Sequence, residues 1–128
     1  MPPLTGTRSM IRYSTQPNSP VVEITAEGTI TNQELEETIK GLQAEFDHNG
    51  KTRVIEIIQH FTGIELSAIW TDIRLGLPLA HKIDRVAVVA DQKWIRQLAE
   101  LGHLFTRAEL KIFPPAELGQ ARTWIAAD

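Results

Sequence analysis

The chain has 128 residues, 42% of them hydrophobic and 23% charged, which fits one ordinary folded domain and excludes a disordered chain. Its 13 basic and 16 acidic residues leave a net charge of −3, so the overall charge argues against a nucleic-acid partner. The absence of cysteine excludes disulfide frameworks, thiolate metal sites and cysteine nucleophiles.

Residues 1–9 carry two prolines and a glycine but no apolar run of the kind that a secretory signal needs. No stretch of the chain approaches 18 consecutive apolar residues. We therefore expect a flexible tail over residues 1–9, a single domain over residues 10–128, and a cytoplasmic location.

The first half of the chain predicts two strands and a helix. Residues 10–14 predict a short edge strand, and residues 21–26, which are rich in β-branched residues, predict a second strand. The turn-forming stretch 16–20 between them predicts a hairpin. Gly28 is expected to end the second strand. Thr31 and Glu34 have the spacing of a capping box, and Gly50 is a typical helix C-cap. The helix between them has one apolar face, formed by Leu35, Ile39, Leu42 and Phe46.

The second half alternates strands and helices. Residues 54–58 and 86–90 predict buried strands, and residues 108–113 predict a half-exposed one. Residues 59–63 read as a loop, residues 64–77 as a helix, and Asp91 as the cap of a further helix. A last helix should begin at residues 114–115 and point Leu118, Ala121 and Ile125 inward. This order predicts an α/β fold with a mixed, largely parallel sheet, about four flanking helices and an N-terminal antiparallel hairpin.

Four stretches of the sequence carry a resemblance to a known family: residues 22–31, 54–58, 66–77 and 84–94, with a weaker match at 113–114 and 121–125. They resemble the SpoIIAA-like family, relatives of the STAS domain of anti-sigma factor antagonists and sulfate transporters. The resemblance implies a small α/β domain that binds partner proteins or apolar ligands and catalyses no reaction. It also implies a fold similar to that of CRAL-TRIO lipid-carrier domains.

The anti-sigma factor antagonists use a serine in an Asp-Ser-Ser-Gly motif as a phosphorylation switch. The corresponding stretch here, residues 63–68, reads GIELSA, so that motif is absent. Ser67 lies nearby, and Thr62 precedes the stretch. We expect any phosphorylation to fall on one of these two residues, where a helix N-terminus would stabilise the phosphate.

The apolar face of residues 64–79 is wider than one face of a sheet requires. It predicts a movable helix, residues 64–77, that covers an apolar ligand or lipid, although contact with a second subunit, a partner or a membrane surface would use the same face. The expected ligand-binding residues are His60, Phe61, Thr62, Leu66, Trp70, Ile73 and Trp94. Positive side chains that could meet anionic headgroups are Arg74, Lys82, Arg85 and Lys93.

Signatures of catalysis and of metal binding are missing from the sequence. Its four histidines have no metal-ligand spacing, and neither an H-E-x-x-H nor a G-x-S-x-G motif occurs. We expect no catalytic residues, no metal and no cofactor. Two hypotheses remain open: a binding module for an apolar ligand or lipid, and a STAS-like protein-interaction domain of a regulatory relay, under phosphorylation control or forming a homodimer.

Overall fold

A computed structural model of the chain describes residues 10–64, 81–91, 93, 96–97 and 108–128, with the backbone alone described at Met10 and at residues 61–64. The described strands form one sheet in chain order. They are β1 (Met10–Thr15), β2 (Val21–Ile30), β3 (Arg53–Ile64), β4 (Arg85–Val89) and β5 (Glu109–Phe113). Two helices are described completely, α1 (Asn32–Asn49) and α2 (Leu118–Ala126), and a 3-10 turn (Pro115–Glu117) precedes α2.

The sheet is mixed. β1 runs antiparallel to β2, and β2 to β5 all run parallel to one another. This confirms the predicted largely parallel sheet with an N-terminal hairpin. Of the other two predicted helices, the one over residues 64–77 lies outside the described residues except for Ile64. The predicted tail over residues 1–9 also lies outside them. The helix after Asp91 is described at Lys93, Arg96 and Gln97, which are helical.

The capping residues of α1 work as predicted. The Thr31 hydroxyl accepts a hydrogen bond from the Glu34 backbone N–H at 3.2 Å and donates one to the Glu34 carboxylate at 3.0 Å. At the other end Gly50 adopts the left-handed conformation, with φ of 67°, that a helix C-cap requires. The first of these contacts satisfies a backbone N–H that the start of a helix otherwise leaves unpaired.

The core lies on both faces of the sheet, because successive residues of a strand point to opposite sides. On one face the predicted apolar stripe of α1 packs on β1 and β2 and reaches Val54 of β3, in a cluster of Val22, Ile24, Ile39, Leu42, Phe46 and Val54. On the other face α2 packs on β3 to β5, in a cluster of Ile55, Ile57, Ala87, Val89, Phe113, Ala121 and Ile125. β3 is therefore buried on both sides, as its run of β-branched residues predicts.

Two sequence-based boundaries are wrong. Gly28 does not end β2, and residues 59–63 are not a loop, because β2 and β3 stay paired as far as Ile30 and Ile64. Ile64 therefore ends a strand and does not begin a helix. The ladder continues because Gly28 adopts a φ of 71° and β3 contributes extra residues as bulges. Glycine and polar residues are typical of turns, which is why this stretch resembles a loop in sequence.

Candidate functional site

The carboxyl ends of the parallel strands meet at one edge of the sheet, where ligands of open α/β sheets bind. β4 ends at Val89, which pairs with Ile57, so the rest of β3 extends beyond β4 with β2 beside it. We call the paired residues 27–30 and 59–64 the β2–β3 extension. It is the most prominent feature of this edge within the described chain.

The β2–β3 extension contains two bulges. Glu27 pairs with Gln59, Gly28 with Phe61 and Thr29 with Gly63, so the register passes over His60 and Thr62. His60 is exposed and has a φ of 48°, a left-handed conformation that non-glycine residues adopt at a cost. Bulges occur often beside functional sites because they re-aim a side chain. The extension thus presents an exposed imidazole at the carboxyl edge of the sheet.

The turn after β4 lies at the same edge. Ala90 is buried, and its carbonyl oxygen accepts a hydrogen bond from Arg96 Nε at 3.1 Å, which fixes the start of the following segment. Asp91 and Lys93 beside it are exposed. The edge therefore offers an imidazole from β3 together with a carboxylate and an ammonium group from the β4 turn.

The structure describes part of the predicted ligand-binding set. His60, and the backbone of Phe61 and Thr62, lie in the β2–β3 extension, and Lys93 follows the β4 turn at the same edge. The remaining predicted positions lie outside the described residues: Leu66, Ser67, Trp70, Ile73, Arg74 and Trp94.

Lys82 and Arg85 are not brought together with His60. Both precede or begin β4 and so lie at the amino edge of the sheet, opposite the β2–β3 extension. Lys82 forms an ion pair with Asp47 near the end of α1. Of the predicted positive side chains that are described, Lys82 and Arg85 thus lie at the amino edge and Lys93 at the carboxyl edge.

Arg85 makes its hydrogen bonds within the fold. Its Nη1 donates to the carbonyl oxygens of Trp124 and Ala127 at 3.0 and 2.6 Å, and its guanidinium carbon lies 5.4 Å from the centre of the Trp124 ring. Arg53, its register partner on β3, donates to the carbonyl oxygens of Ile125 and Ala127. We call these two residues the arginine pair. They bring two positive charges to the negative end of the α2 dipole and donate hydrogen bonds to carbonyl groups at its C-terminal end.

Sequence reasoning missed two further polar contacts that shape the fold. Lys51 is only 4% exposed, and its ammonium group donates to the carbonyl oxygens of Gln16 and Ser19 at 2.7 and 2.5 Å. It thereby ties the β1–β2 turn to the start of β3. A lysine placed directly before a buried strand is the available signal, since a lysine is almost never fully buried unless it is paired.

Arg122 of α2 forms two hydrogen bonds with the Glu23 carboxylate of β2, at 3.0 and 2.9 Å. The hydrogen bond to Glu23 raises the pKa of the Arg122 guanidinium above its ordinary value. Because the pKa of Arg122 is raised in the folded state, the stability that the Arg122–Glu23 pair contributes is complete below the ordinary pKa of arginine. It is lost only in strongly alkaline solution.

Among the described residues, no three His, Asp or Glu side chains lie close enough together to hold a metal ion. In the same part of the chain, no helix combines the length and the apolar content needed to cross a membrane.

Two solved structures share this architecture. An uncharacterised DUF3478-family protein with a SpoIIAA-like fold from Shewanella loihica PV-4 is 21% identical, with a TM-score of 0.73 over 96% of this chain and 99% of that one. The anti-sigma factor antagonist SpoIIAA in its unphosphorylated form is 11% identical, with a TM-score of 0.63 over 90% of this chain and 98% of that one. At these identities the likeness establishes the fold alone.

No curated protein matches the sequence significantly. The model of the SpoIIAA-like family matches residues 21–126, a range that includes β2 to β5 and both described helices. This chain therefore belongs to the SpoIIAA-like family.

Proposed function

We propose that the chain is a non-catalytic protein-interaction domain of a regulatory relay, and that it binds its partner protein at the carboxyl edge of the sheet. Membership of the SpoIIAA-like family supports this function, as does the fold that the chain shares with an anti-sigma factor antagonist. The observation that carries the choice of surface is the β2–β3 extension, which presents the exposed, left-handed His60 beyond the end of β4.

The chemical groups at this edge suit binding to another protein. Among the described residues no strand pairs with β3 on its β4 side after Ile57, and strand edges are a common means of protein recognition. Asp91 and Lys93 add charges of both signs beside it, which would set the specificity and rate of association more than its affinity.

The test is quantitative capture of proteins from the source organism by the immobilised domain. His60→Glu places a negative charge on the β2–β3 extension. His48→Glu is the matched control, because His48 is exposed near the C-terminal end of α1, away from that edge. We expect a protein that wild type and the His48 variant retain equally, and that the His60 variant retains at least about tenfold less, since a charge mismatched at an interface costs more than about 1.4 kcal/mol. Equal retention by both variants would reject this surface.

Phosphorylation control belongs to the same proposal. Thr62 lies at the second bulge of the β2–β3 extension, and Ser67 follows three residues after Ile64. A phosphate would add roughly two negative charges, on Thr62 within the β2–β3 extension or on Ser67 three residues after it in sequence. Intact mass of protein from its native source should show a form heavier by one phosphate, mapping to Thr62 or Ser67. A single unmodified mass under all growth conditions would remove this part of the proposal.

The lipid hypothesis depends on side chains of the segment 64–77, which lie outside the described residues, and it stays a prediction. Native mass spectrometry of gently purified protein tests it separately. A co-purified lipid would favour the apolar-ligand function, whereas a ligand-free protein that still captures its partner would favour the interaction domain.

A further inference from the structure

β5 is the outermost strand of the described sheet, with β4 on one side and no described strand on the other. The Glu109 N–H donates to the Asp84 carbonyl at 2.9 Å, and the Phe113 carbonyl accepts from the Ala90 N–H at 3.1 Å. Because backbone direction alternates along a strand, residues 109, 111 and 113 bond to β4. The backbone groups of Leu110 and Ile112 therefore point away from β4, toward the side on which no strand is described.

Two opposite charges flank Leu110 on the face of the sheet that carries α2. The Glu109 side chain is 69% exposed and forms an ion pair with Arg85 at 3.3 Å. Lys111 is also exposed, and its ammonium nitrogen lies 5.3 Å from the centre of the Phe113 ring. Charges on an edge strand usually discourage pairing with another chain. Here the two charges have opposite signs and lie symmetrically about one residue.

We propose that a second copy of this chain docks along β5, antiparallel to it, with Leu110 on the two-fold axis. In this register Glu109 lies opposite the partner's Lys111, and Lys111 opposite the partner's Glu109. The same patch thus complements itself, as a two-fold interface requires. The two five-stranded sheets then join into one continuous sheet.

Charge selects this register over its neighbours. An axis through Lys111 sets two lysines opposite each other, and an axis through Glu109 sets two glutamates opposite each other. Like charges directly opposite in a sheet are destabilising, whereas unlike charges are favourable. A shift by a single residue of one strand against the other would bring the outward backbone groups opposite inward ones, so no hydrogen bonds would form.

Backbone direction agrees with the register that charge selects. Leu110 points its N–H and C=O outward, so the two copies of Leu110 form a hydrogen-bonded pair on the axis. Glu109 and the partner's Lys111 then form a non-hydrogen-bonded pair, in which opposite side chains approach most closely, with about 4.5 Å between Cα atoms. The half-buried Leu110 side chains meet on the other face, beside Ile112.

The test uses two charge variants, alone and mixed. Glu109→Lys sets lysines against lysines in its own dimer, and Lys111→Glu sets glutamates against glutamates. Each variant alone should have a dimer dissociation constant weaker by roughly tenfold or more, since two attractive pairs become repulsive. An equimolar mixture should recover the dimer, because every pair then joins unlike charges.

Analytical ultracentrifugation over a concentration series measures the dimer dissociation constant of each variant and of the mixture. The control is Glu37→Lys, an equal charge change on the exposed side of α1, which should dimerise like wild type. Recovery in the mixture also shows that both variants fold. A monomeric wild type, variants that dimerise as wild type does, or a mixture that stays monomeric would each overturn the proposal.

A zero-length carbodiimide cross-linker tests the register directly. It condenses the Glu109 carboxylate with a lysine ammonium group into an amide, with loss of water. In a mixture of ¹⁴N- and ¹⁵N-labelled chains, a mixed-isotope peptide joining Glu109 to Lys111 would confirm the two-fold at Leu110. Mixed-isotope peptides that join other residues only would reject it.

Discussion

Arg53 and Arg85 pair in register on β3 and β4, and both donate to the carbonyl oxygen of Ala127, at 2.7 and 2.6 Å. Each also reaches one further carbonyl group in the last turn of α2. The amino ends of two central strands thus hold the C-terminal end of the helix that covers the far face of the sheet. This contact orients α2 on β3 to β5. The Trp124 ring lies near both the Arg85 guanidinium group and the ammonium group of Lys111 on β5.

Because the two guanidinium groups share an acceptor and repel each other, their removal should not be additive. Arg53→Ala and Arg85→Ala should each lower the free energy of unfolding by about 1.5 kcal/mol, the usual worth of a charged hydrogen bond. The double variant should lose about 0.5 kcal/mol more than the sum, since only then does the Ala127 carbonyl lose both donors. Urea denaturation of the four proteins measures this, and strict additivity would contradict the shared acceptor.

Lys51 should contribute more to stability than an exposed lysine. Lys51→Met removes both hydrogen bonds to the β1–β2 turn and should cost about 2 kcal/mol, because the turn carbonyls lose a charged donor in a buried place. Lys40→Met is the matched control: Lys40 forms an exposed ion pair with Glu36, worth at most about 0.5 kcal/mol. Equal unfolding free energies for the two variants would show that Lys51 does not anchor the turn.

The left-handed conformation of His60 predicts an unusual order of variants. His60→Gly should stabilise the protein by about 0.5 to 1 kcal/mol, since glycine adopts a positive φ without strain. His60→Val should destabilise it, although valine normally favours strands, because a β-branched side chain fits this conformation worst. Thermal unfolding compares the two, and a valine variant more stable than the glycine variant would place His60 in an ordinary extended conformation.

Gly41 of α1 allows the ring of Tyr13 to lie against the helix. A Cβ at Gly41 would lie 2.6 Å from the Tyr13 hydroxyl oxygen and 3.1 Å from the ring. Alanine stabilises a helix by about 1 kcal/mol more than glycine does. Gly41→Ala should therefore raise the free energy of unfolding by this amount only where the Tyr13 ring is absent. In a double-mutant cycle, Gly41→Ala should be more favourable in the Tyr13→Ala background by about 1 kcal/mol. Equal effects in both backgrounds would mean that the ring moves aside freely.

Much of the fold was predictable from local patterns. The apolar stripe of α1 and its caps at Thr31 and Gly50 depend on neighbouring residues, and the buried strand at residues 54–58 follows from its composition. The structure confirms these features, and they were predictable because interactions between residues close in sequence determine them.

What the sequence could not predict depends on partners distant in the chain. The bulges at His60 and Thr62 arise from pairing with residues about 30 positions earlier, and the same letters are equally typical of a turn. Arg85 was predicted as a contact for anionic headgroups because it is basic and flanks the segment 64–77 in sequence. Its carbonyl partners lie 39 and 42 residues away, which no local pattern reveals.

The most direct measurement of the central hypothesis is hydrogen exchange of the domain, free and bound to the protein that it captures. Binding at the carboxyl edge predicts slower exchange at residues 59–64 and near Asp91, with β1 unchanged. Slower exchange confined to β1, to α2 or to the amino edge around the arginine pair would contradict the proposed surface, even if a partner protein binds.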